Sequence, residues 1–443
     1  MKPMNKTLLA LLVSAVSMGA YAEGDEVKTK GGFQIKSEDG LYEAKIGGRL
    51  HIDANYFTKE EDLTPNLQDT NSSIFARRAR LELSGRAYDV EYLIENDFAG
   101  QSGTTGSGFR EVWVKKKVEG HNVRLGQAKP YRGMEELTSS NHVSFMERPF
   151  ASDRAIFQTR QFQTGLFIDN VIDNVGYGVS IFSVRQIGDN SGTANSEGRG
   201  YNARGYYVPI QEEGKILHLG ASVTHEDTPA VATNTAGNQE TLNGANTINP
   251  AIAGRRNGLS GVILEGATKQ TFFGGEAAFR MDQYYIQAEY MLNKADAARA
   301  FNPPSGNTTT ATPVVDLGQQ NVETYYVQAS YMLTDHFKPY DFKRGTFRSP
   351  KVSGGEGAWE VRARYDVIEN KDFRTAATAT SAVSSDGVRK ATQAILGLTY
   401  YATPNSRYML EYLKGTFEGS GAGLTADVDQ NAQLVQARAQ FNF

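Results

Sequence analysis

The sequence predicts an all-β fold: a transmembrane antiparallel β-barrel of about sixteen strands, with short periplasmic turns and long extracellular loops. Three observations predict it. An apolar leader is followed by no further apolar run of helix-spanning length, a two-residue alternation recurs along the chain, and the last strand is amphipathic and closes on Phe443.

The leader comes first. Lys2 and Lys6 precede the apolar run LLALLVSAV, which reaches Ala20-Tyr21-Ala22 ahead of Glu23. Basic residues, a short apolar core and an A-x-A site make a secretory signal peptide, so residues 1–22 are set aside from the fold. The run is shorter than the roughly 20 residues that carry a helix across a bilayer, which disfavours an N-terminal anchor. Residues 23–44 are polar and weakly patterned and read as an N-terminal periplasmic segment, leaving 45–443 as the barrel domain.

Composition agrees. Mean hydropathy is −0.46, and 22 Tyr, 22 Phe, 45 Gly and no Cys suit an exported β protein that does without disulfides. There are 46 basic and 50 acidic residues for a net charge of −4; without Lys2 and Lys6 the balance is 44 to 50, or −6. Neither value points to a nucleic-acid partner.

From Lys45 the chain alternates. In KIGGRLHIDANYF, Ile46, Leu50, Ile52, Ala54 and Tyr56 share one face and Lys45, Arg49, His51, Asp53 and Asn55 the other, the pattern of a half-buried strand. Similar segments follow at 74–86, 89–98, 109–118, 122–128, 160–169, 175–184, 199–208, 216–225, 270–280, 283–292, 322–332, 356–368, 390–402, 405–417 and 431–443. If the first strand runs outward, the long connections 58–73, 99–108, 129–159, 185–198, 226–269, 293–321, 369–389 and 418–430 are extracellular. The connection 333–355 breaks the rule, because it falls on the periplasmic side and is long.

Counting back from the end, Phe441, Ala439, Ala437 and Val435 share the face of Phe443, while Asn442, Gln440 and Arg438 share the other. A soluble sandwich is the alternative, but sandwiches seldom need this many strands in one domain. In lipid every backbone amide must pair with a neighbouring strand, and only closure of the sheet achieves that. The expected wall is apolar outside and polar inside. The pairs Tyr284-Tyr285, Tyr325-Tyr326 and Tyr400-Tyr401 are candidates for an interfacial aromatic girdle.

Several stretches then point to a family. RRARLELSG (77–85), LIENDFAG (93–100), RLGQAKPYRGMEELTSSNHVSFMER (124–148), FKPYDFKRGTF (337–347) and GAWEVRARYDV (357–367) resemble the phosphate-selective porins O and P of bacterial outer membranes. The resemblance implies a homotrimer of 16-stranded barrels conducting phosphate, pyrophosphate or polyphosphate along inward arginines, past a constriction formed partly by the third loop. By motif position Arg49, Arg77 and Arg78 match family pore arginines, Asp97 looks like the acidic constriction residue, and Lys129 lies where the third loop begins. The phosphate preference comes from the resemblance alone.

The strand faces place Arg49, Arg78, Arg80, Arg86, Arg124, Arg362, Arg364 and Arg438 in the lumen with Glu82, Glu91, Glu95, Asp97, Glu276, Glu289, Glu360, Asp366 and Glu411. With both signs on the wall, selectivity must come from arrangement at the narrowest point. The anion pathway is assigned to Arg49, Arg77, Arg78, Arg80, Asp97, Lys129, Arg132, Arg362 and Arg364, with loop 129–159 as the constriction. Arginine suits phosphate because its planar fork donates two parallel charge-assisted hydrogen bonds. Each arginine has a blander reading, a wall charge paired with a neighbouring carboxylate. In a regular strand Arg77 and Arg78 point to opposite faces, so Arg77 is expected near the rim or at a subunit contact unless a bulge re-aims it. The basic cluster at 338–351 either draws anions at the periplasmic exit or is solvated surface.

Other classes fit less well. The six histidines form no H-E-x-x-H pair, and neither a G-x-S-x-G elbow nor a G-x-x-x-x-G-K-[ST] loop is present. No cofactor or metal is implied. An adhesin or receptor using loop 226–269 is a third reading, although that Asn-, Thr- and Gly-rich loop more simply caps the mouth as solvated surface. A general or differently selective porin on the same scaffold is the closest alternative. Outer-membrane lipid and lipopolysaccharide are the expected surroundings.

Overall fold

The computed structural model describes residues 26–28, 33–60, 72–99, 108–157, 160–184, 198–228, 231–235, 239–243, 246–252, 259–260, 262–300, 314–353, 355–376, 383–384, 387–420 and 430–443. The signal peptide expected at 1–22 lies outside them. Sixteen strands make the wall. They are β1 (Tyr42–Glu60), β2 (Ser73–Ala87), β3 (Val90–Asp97), β4 (Gly108–Val118), β5 (His121–Ala128), β6 (Gln163–Ile172), β7 (Val175–Val184) and β8 (Gly198–Gln211). Then come β9 (Lys215–Asp227), β10 (Leu264–Met281), β11 (Tyr284–Ala300), β12 (Val314–Met332), β13 (Ala358–Asn370), β14 (Gly387–Thr403), β15 (Ser406–Ser420) and β16 (Gln430–Asn442).

Each strand pairs antiparallel with the next, and β16 returns to β1 with Ala432 opposite Glu60 and Asn442 opposite Arg49. The sheet therefore has no free edge along this wall, as the bilayer demands. Four periplasmic hairpins turn with a left-handed first residue, Tyr88, Glu119, Asp173 and Asp282, the conformation that matches the strands' own twist. Below the seam, β1 begins three residues earlier than the alternation indicates and pairs through Glu43–Ile46 with Phe33–Lys36, which in turn pairs with Glu26–Lys28.

Side-chain direction follows the alternation. Leu50, Tyr56, Ile74, Leu125, Tyr365, Leu396 and Phe441 face outward and are exposed, whereas His51, Asp53, Arg364, Gln436 and Arg438 face inward and are buried. Parity corrects the aromatic girdle: Tyr284, Tyr325 and Tyr400 point out, but Tyr285, Tyr326 and Tyr401 point into the lumen and are buried there.

The polar-inside expectation also needs correction. In the outer half of the barrel, inward Phe272, Met291, Ile368, Ile395, Leu413 and Phe417 form one apolar cluster with Phe145, Phe150, Ile156 and Phe157 of the third connection. Ile248 and Ile263, from the connection between β9 and β10, join it. That connection is thus partly tucked into the mouth rather than only capping it. A loop folded into a lumen has an apolar side of its own, and that side needs a dry seat.

Candidate functional site

The third connection leaves β5 at Lys129, carries the one-turn helix α1 (Met134–Leu137), and returns to β6 across the barrel interior. The wall holds it by its backbone. Glu289 accepts from the amides of Met134 (3.1 Å) and Glu135 (2.7 Å), Asp366 from Phe150 (3.0 Å) and Glu411 from Met146 (2.9 Å). Wall arginines donate to its carbonyls: Arg362 to Ser144, Arg364 to Glu147 (2.9 Å), Arg407 to Val143 (3.0 Å) and Arg438 to Met146 (2.6 Å). The mixed sign of the wall therefore has a structural origin, since a folded backbone presents both donors and acceptors and needs both kinds of partner.

The long periplasmic connection enters from below. Arg204 donates to the carbonyls of Arg344 and Gly345 (both 2.9 Å), Tyr206 to that of Phe342, and His218 bonds the Tyr340 hydroxyl at 2.6 Å. Lys338 sits buried between Glu360 (2.9 Å) and Ser144 (3.1 Å), and His142 meets the Ser349 hydroxyl at 3.3 Å. This segment is not wholly solvated surface: Lys338 is buried, while Lys343, Arg344, Arg348 and Lys351 remain exposed. It touches the first inserted loop through His142, Ser144 and Asn141.

Between the two loops and β1–β4 lies a cavity of about 550 Å³. Lys45, Arg49, Arg80, Lys129, Arg148, Arg344 and Arg348 line it against Glu82, Glu95, Glu111 and Asp341, with the Ser139–His142 run along one side. Glu95 is bridged by Arg49 (2.5 Å) and Arg80 (2.9 Å), and Asp97 lies behind Arg80 at 2.8 Å. Asp341 is paired with Arg348. The described pairs thus neutralise part of the acid, while the Arg344 side chain is exposed.

The predicted residues separate into three groups. Arg49, Arg80 and Lys129 border the cavity, with Asp97 just behind. Arg77 and Arg78 do not. A bulge in β2, where His51 faces Arg78 and Ile52 faces Ala76, turns both inward, so Arg77 is not at the rim; its fork grips Glu147 at 2.5 and 2.9 Å. Arg78 is 3% exposed and bonds His51 Nδ1 at 3.3 Å. The third group lies away from the cavity: Arg362 and Arg364 hold the loop backbone, and Arg132 is fully buried between the Phe157 and Phe182 rings, sharing Glu226 with Arg160. Arg148, Arg344 and Arg348 carry no periodic signal, whereas Arg407 sits four residues before Glu411 on the same face, where parity finds it.

Lys129 is a titratable lining group drawn close to neutral pH. Its ammonium donates to the Glu136 carbonyl at 2.6 Å and lies 5.6 Å from the Phe162 ring centroid. Burial, reinforced by Arg148, pulls it down to about 7. His142 falls further, to about 3, and stays neutral. Anion over cation permeability is therefore expected to decline as pH rises through about 7, where the lysine sheds its charge. Lys129→Met should flatten that step in reversal-potential measurements one pH unit either side. Stability carries the linked sign. Between about 7 and the ordinary 10.5 the unfolded chain binds the extra proton, so folding gains as pH rises across that window.

The family model described as phosphate-selective porin O and P matches residues 44–443. Porin O of Pseudomonas aeruginosa is 29% identical over 92% of this chain and 91% of its own. Among solved structures, the outer-membrane channel DcaP of Acinetobacter baumannii aligns with TM-score 0.51 and 12% identity over 92% of this chain and 99% of its own. An anion-selective porin from Comamonas acidovorans gives 0.50 and 13% over 91% and 100%; at such identities these two speak to the fold alone. A family match that runs from β1 to the terminal residue leaves one conclusion: the chain belongs to the phosphate-selective porin O and P family, a channel of the bacterial outer membrane and not an enzyme.

Proposed function

We propose that this porin passes small anions, phosphate or polyphosphate preferred, through the cavity between its two inserted loops, and that it works as a homotrimer. The observation that carries the reading is the lining itself, seven basic side chains against four acidic ones. In a narrow passage walled by protein the surplus acts at reduced dielectric and so outweighs what it would achieve in bulk water. Arg49, Arg80 and Lys129 are the proposed contacts. Glu95 and Asp97 keep the hold weak enough for release. Membership of a family described as phosphate-selective supports phosphate; Glu82, whose pair with Arg49 is 3.7 Å long, and Glu111, which accepts from the Trp113 indole at 2.8 Å, favour the second reading of a general porin.

Assembly is proposed from the outer surface of β16 to β7. The outward residues of its extracellular half whose side chains are described are uncharged, and Tyr56, Ile74, Phe98, Phe109 and Leu125 among them are exposed. An apolar notch of about 430 Å³ between Tyr56, Ile74 and Val435 gives a neighbouring subunit a place to seat a side chain.

Reversal potentials in a KCl gradient across a planar bilayer test the reading, followed by phosphate titration of the chloride current. Anion preference with block at millimolar phosphate is expected. Cation preference rejects the anion assignment, and anion preference without block leaves the general porin.

A further inference from the structure

Glu135 on α1 and Glu289 on β11 are 3% and 5% exposed, and neither forms an ion pair among the described residues. Bases on neighbouring elements are committed elsewhere: Arg204 and His218 to Glu276, Lys338 to Glu360, and Arg148 to the carbonyls of Glu135 and Thr138. A buried charge left in this state is costly, and the usual remedies are a paired base or a coordinated metal.

The surroundings are built of oxygen and amide groups. Glu289 accepts from the backbone of Met134 and Glu135 and from the Tyr326 hydroxyl at 2.5 Å. Gln287 and Gln328 stand opposite each other on β11 and β12, and their amide nitrogens donate to Glu135 Oε2 at 3.2 and 3.4 Å. Gln287 also reaches Glu289 at 3.2 Å, so the two carboxylates share one amide. Two acceptors are then left over. Glu135 Oε1 and Gln328 Oε1 are buried and meet no donor among the described residues. Each is the second terminal atom of a head group already in the 3.4 Å contact, and Gln328 is 2% exposed, out of reach of bulk water. The Gln328 oxygen is the independent sign, because an amide, unlike a carboxylate, does not take up a proton to relieve its own burial.

We propose that Glu135, Glu289 and Gln328 hold a hard divalent cation of the calcium class against the β11–β12 wall. The donor set is all oxygen, the two carboxylates match the charge of the ion, and such ions accept irregular sets of carboxylate and amide oxygens. With neither imidazole nor thiolate in the set, a zinc-class ion has no preferred ligand there. Among the described residues no three carboxylate or histidine side chains converge on a metal position; here the amide oxygen takes the third place. The ion ties α1 to the wall across the lumen from the β1–β4 cavity, bracing the constriction loop from outside the proposed anion path.

The test uses the mature full-length protein in detergent, stripped with EDTA and passed into metal-free buffer near neutral pH. Terbium replaces calcium and luminesces when excited through a nearby tyrosine, here Tyr285 and Tyr326, so emission reports the site and added calcium should quench it by displacement. Glu135→Gln should weaken binding at least about tenfold, because affinity follows the charge of the ligand set. Gln328→Met, which removes only the amide, should weaken it too and decides the matter if Glu135→Gln does not fold. Glu38→Gln, exposed in the turn before β1, should bind as the wild type does. Wild-type protein that takes up neither terbium nor millimolar calcium overturns the proposal by itself and leaves a proton on Glu135 as what joins the two oxygens. Undiminished binding in the two site variants overturns it as well, and so does an equal loss in Glu38→Gln.

Discussion

Replacing Glu226 with alanine should lower the temperature at which the barrel loses its compact electrophoretic form more than any other single change considered. Glu226 is fully buried on β9 and shared by Arg132 and Arg160, the two ends of the inserted loop. Arg132 also donates to the Arg160 carbonyl at 2.7 Å, and Arg160 to that of Ile156 at 2.7 Å, with aromatic rings around both. Removing the carboxylate strands two guanidiniums in an apolar cage, and breaking a buried pair from one side costs about 3–5 kcal/mol. Glu226→Gln should cost less, because the amide oxygen still accepts. Glu212→Ala, from an exposed pair 3.9 Å long, should shift little, since such pairs contribute about 0–1 kcal/mol. Equal shifts for Glu226→Ala and Glu212→Ala would show that the cage carries no load.

The second large effect concerns selectivity. Arg80→Ala removes a guanidinium that lies 2.9 Å from Glu95 and 2.8 Å from Asp97, so the cavity loses one positive charge and uncovers parts of two negative ones. At contact distance a unit charge is worth about 1 kcal/mol even at the dielectric of water, so anion over cation permeability should fall at least roughly fivefold. Glu95→Gln should move it the other way. Arg362→Ala is the discriminating partner: its guanidinium holds the Ser144 carbonyl and Glu411 at 3.1 Å, away from the cavity. That change should raise open-channel noise, as the loop loses an anchor, with a smaller change in reversal potential. A selectivity loss at Arg362 as large as that at Arg80 would mean that the ion path runs along β13 instead.

The wall was legible because lipid and lumen impose opposite requirements on alternate residues, and that demand is written every second position from Ile46 to Phe441. The interior was not. Arg362 and Arg364 obey the alternation, yet nothing along the strand tells whether a guanidinium meets water or a loop carbonyl. That depends on where residues more than 200 positions away settle. Arg77 was misplaced because one bulge in β2 shifts parity. The lumenal tyrosines Tyr285, Tyr326 and Tyr401 were read as girdle residues because tyrosine is at home in both places. The depth of the periplasmic connection was hidden for a similar reason: nothing in its own residues tells that Lys338 meets Glu360, or that Arg204 and His218 reach its backbone and Tyr340.

The terminal residue has a consequence for how the barrel is completed. Phe443 exchanges backbone hydrogen bonds with Gly48 at 3.0 and 3.1 Å, and its ring lies where a methyl on Gly48 would sit 2.5 Å away. Residue 443 thus adds one rung beyond the Asn442–Arg49 pair of the seam. Removing the whole of β16 would bare the amides of β15 and β1 together, whereas deleting Phe443 alone should cost only the rung to Gly48 and the ring above it, with the rest of the seam still laced on both sides.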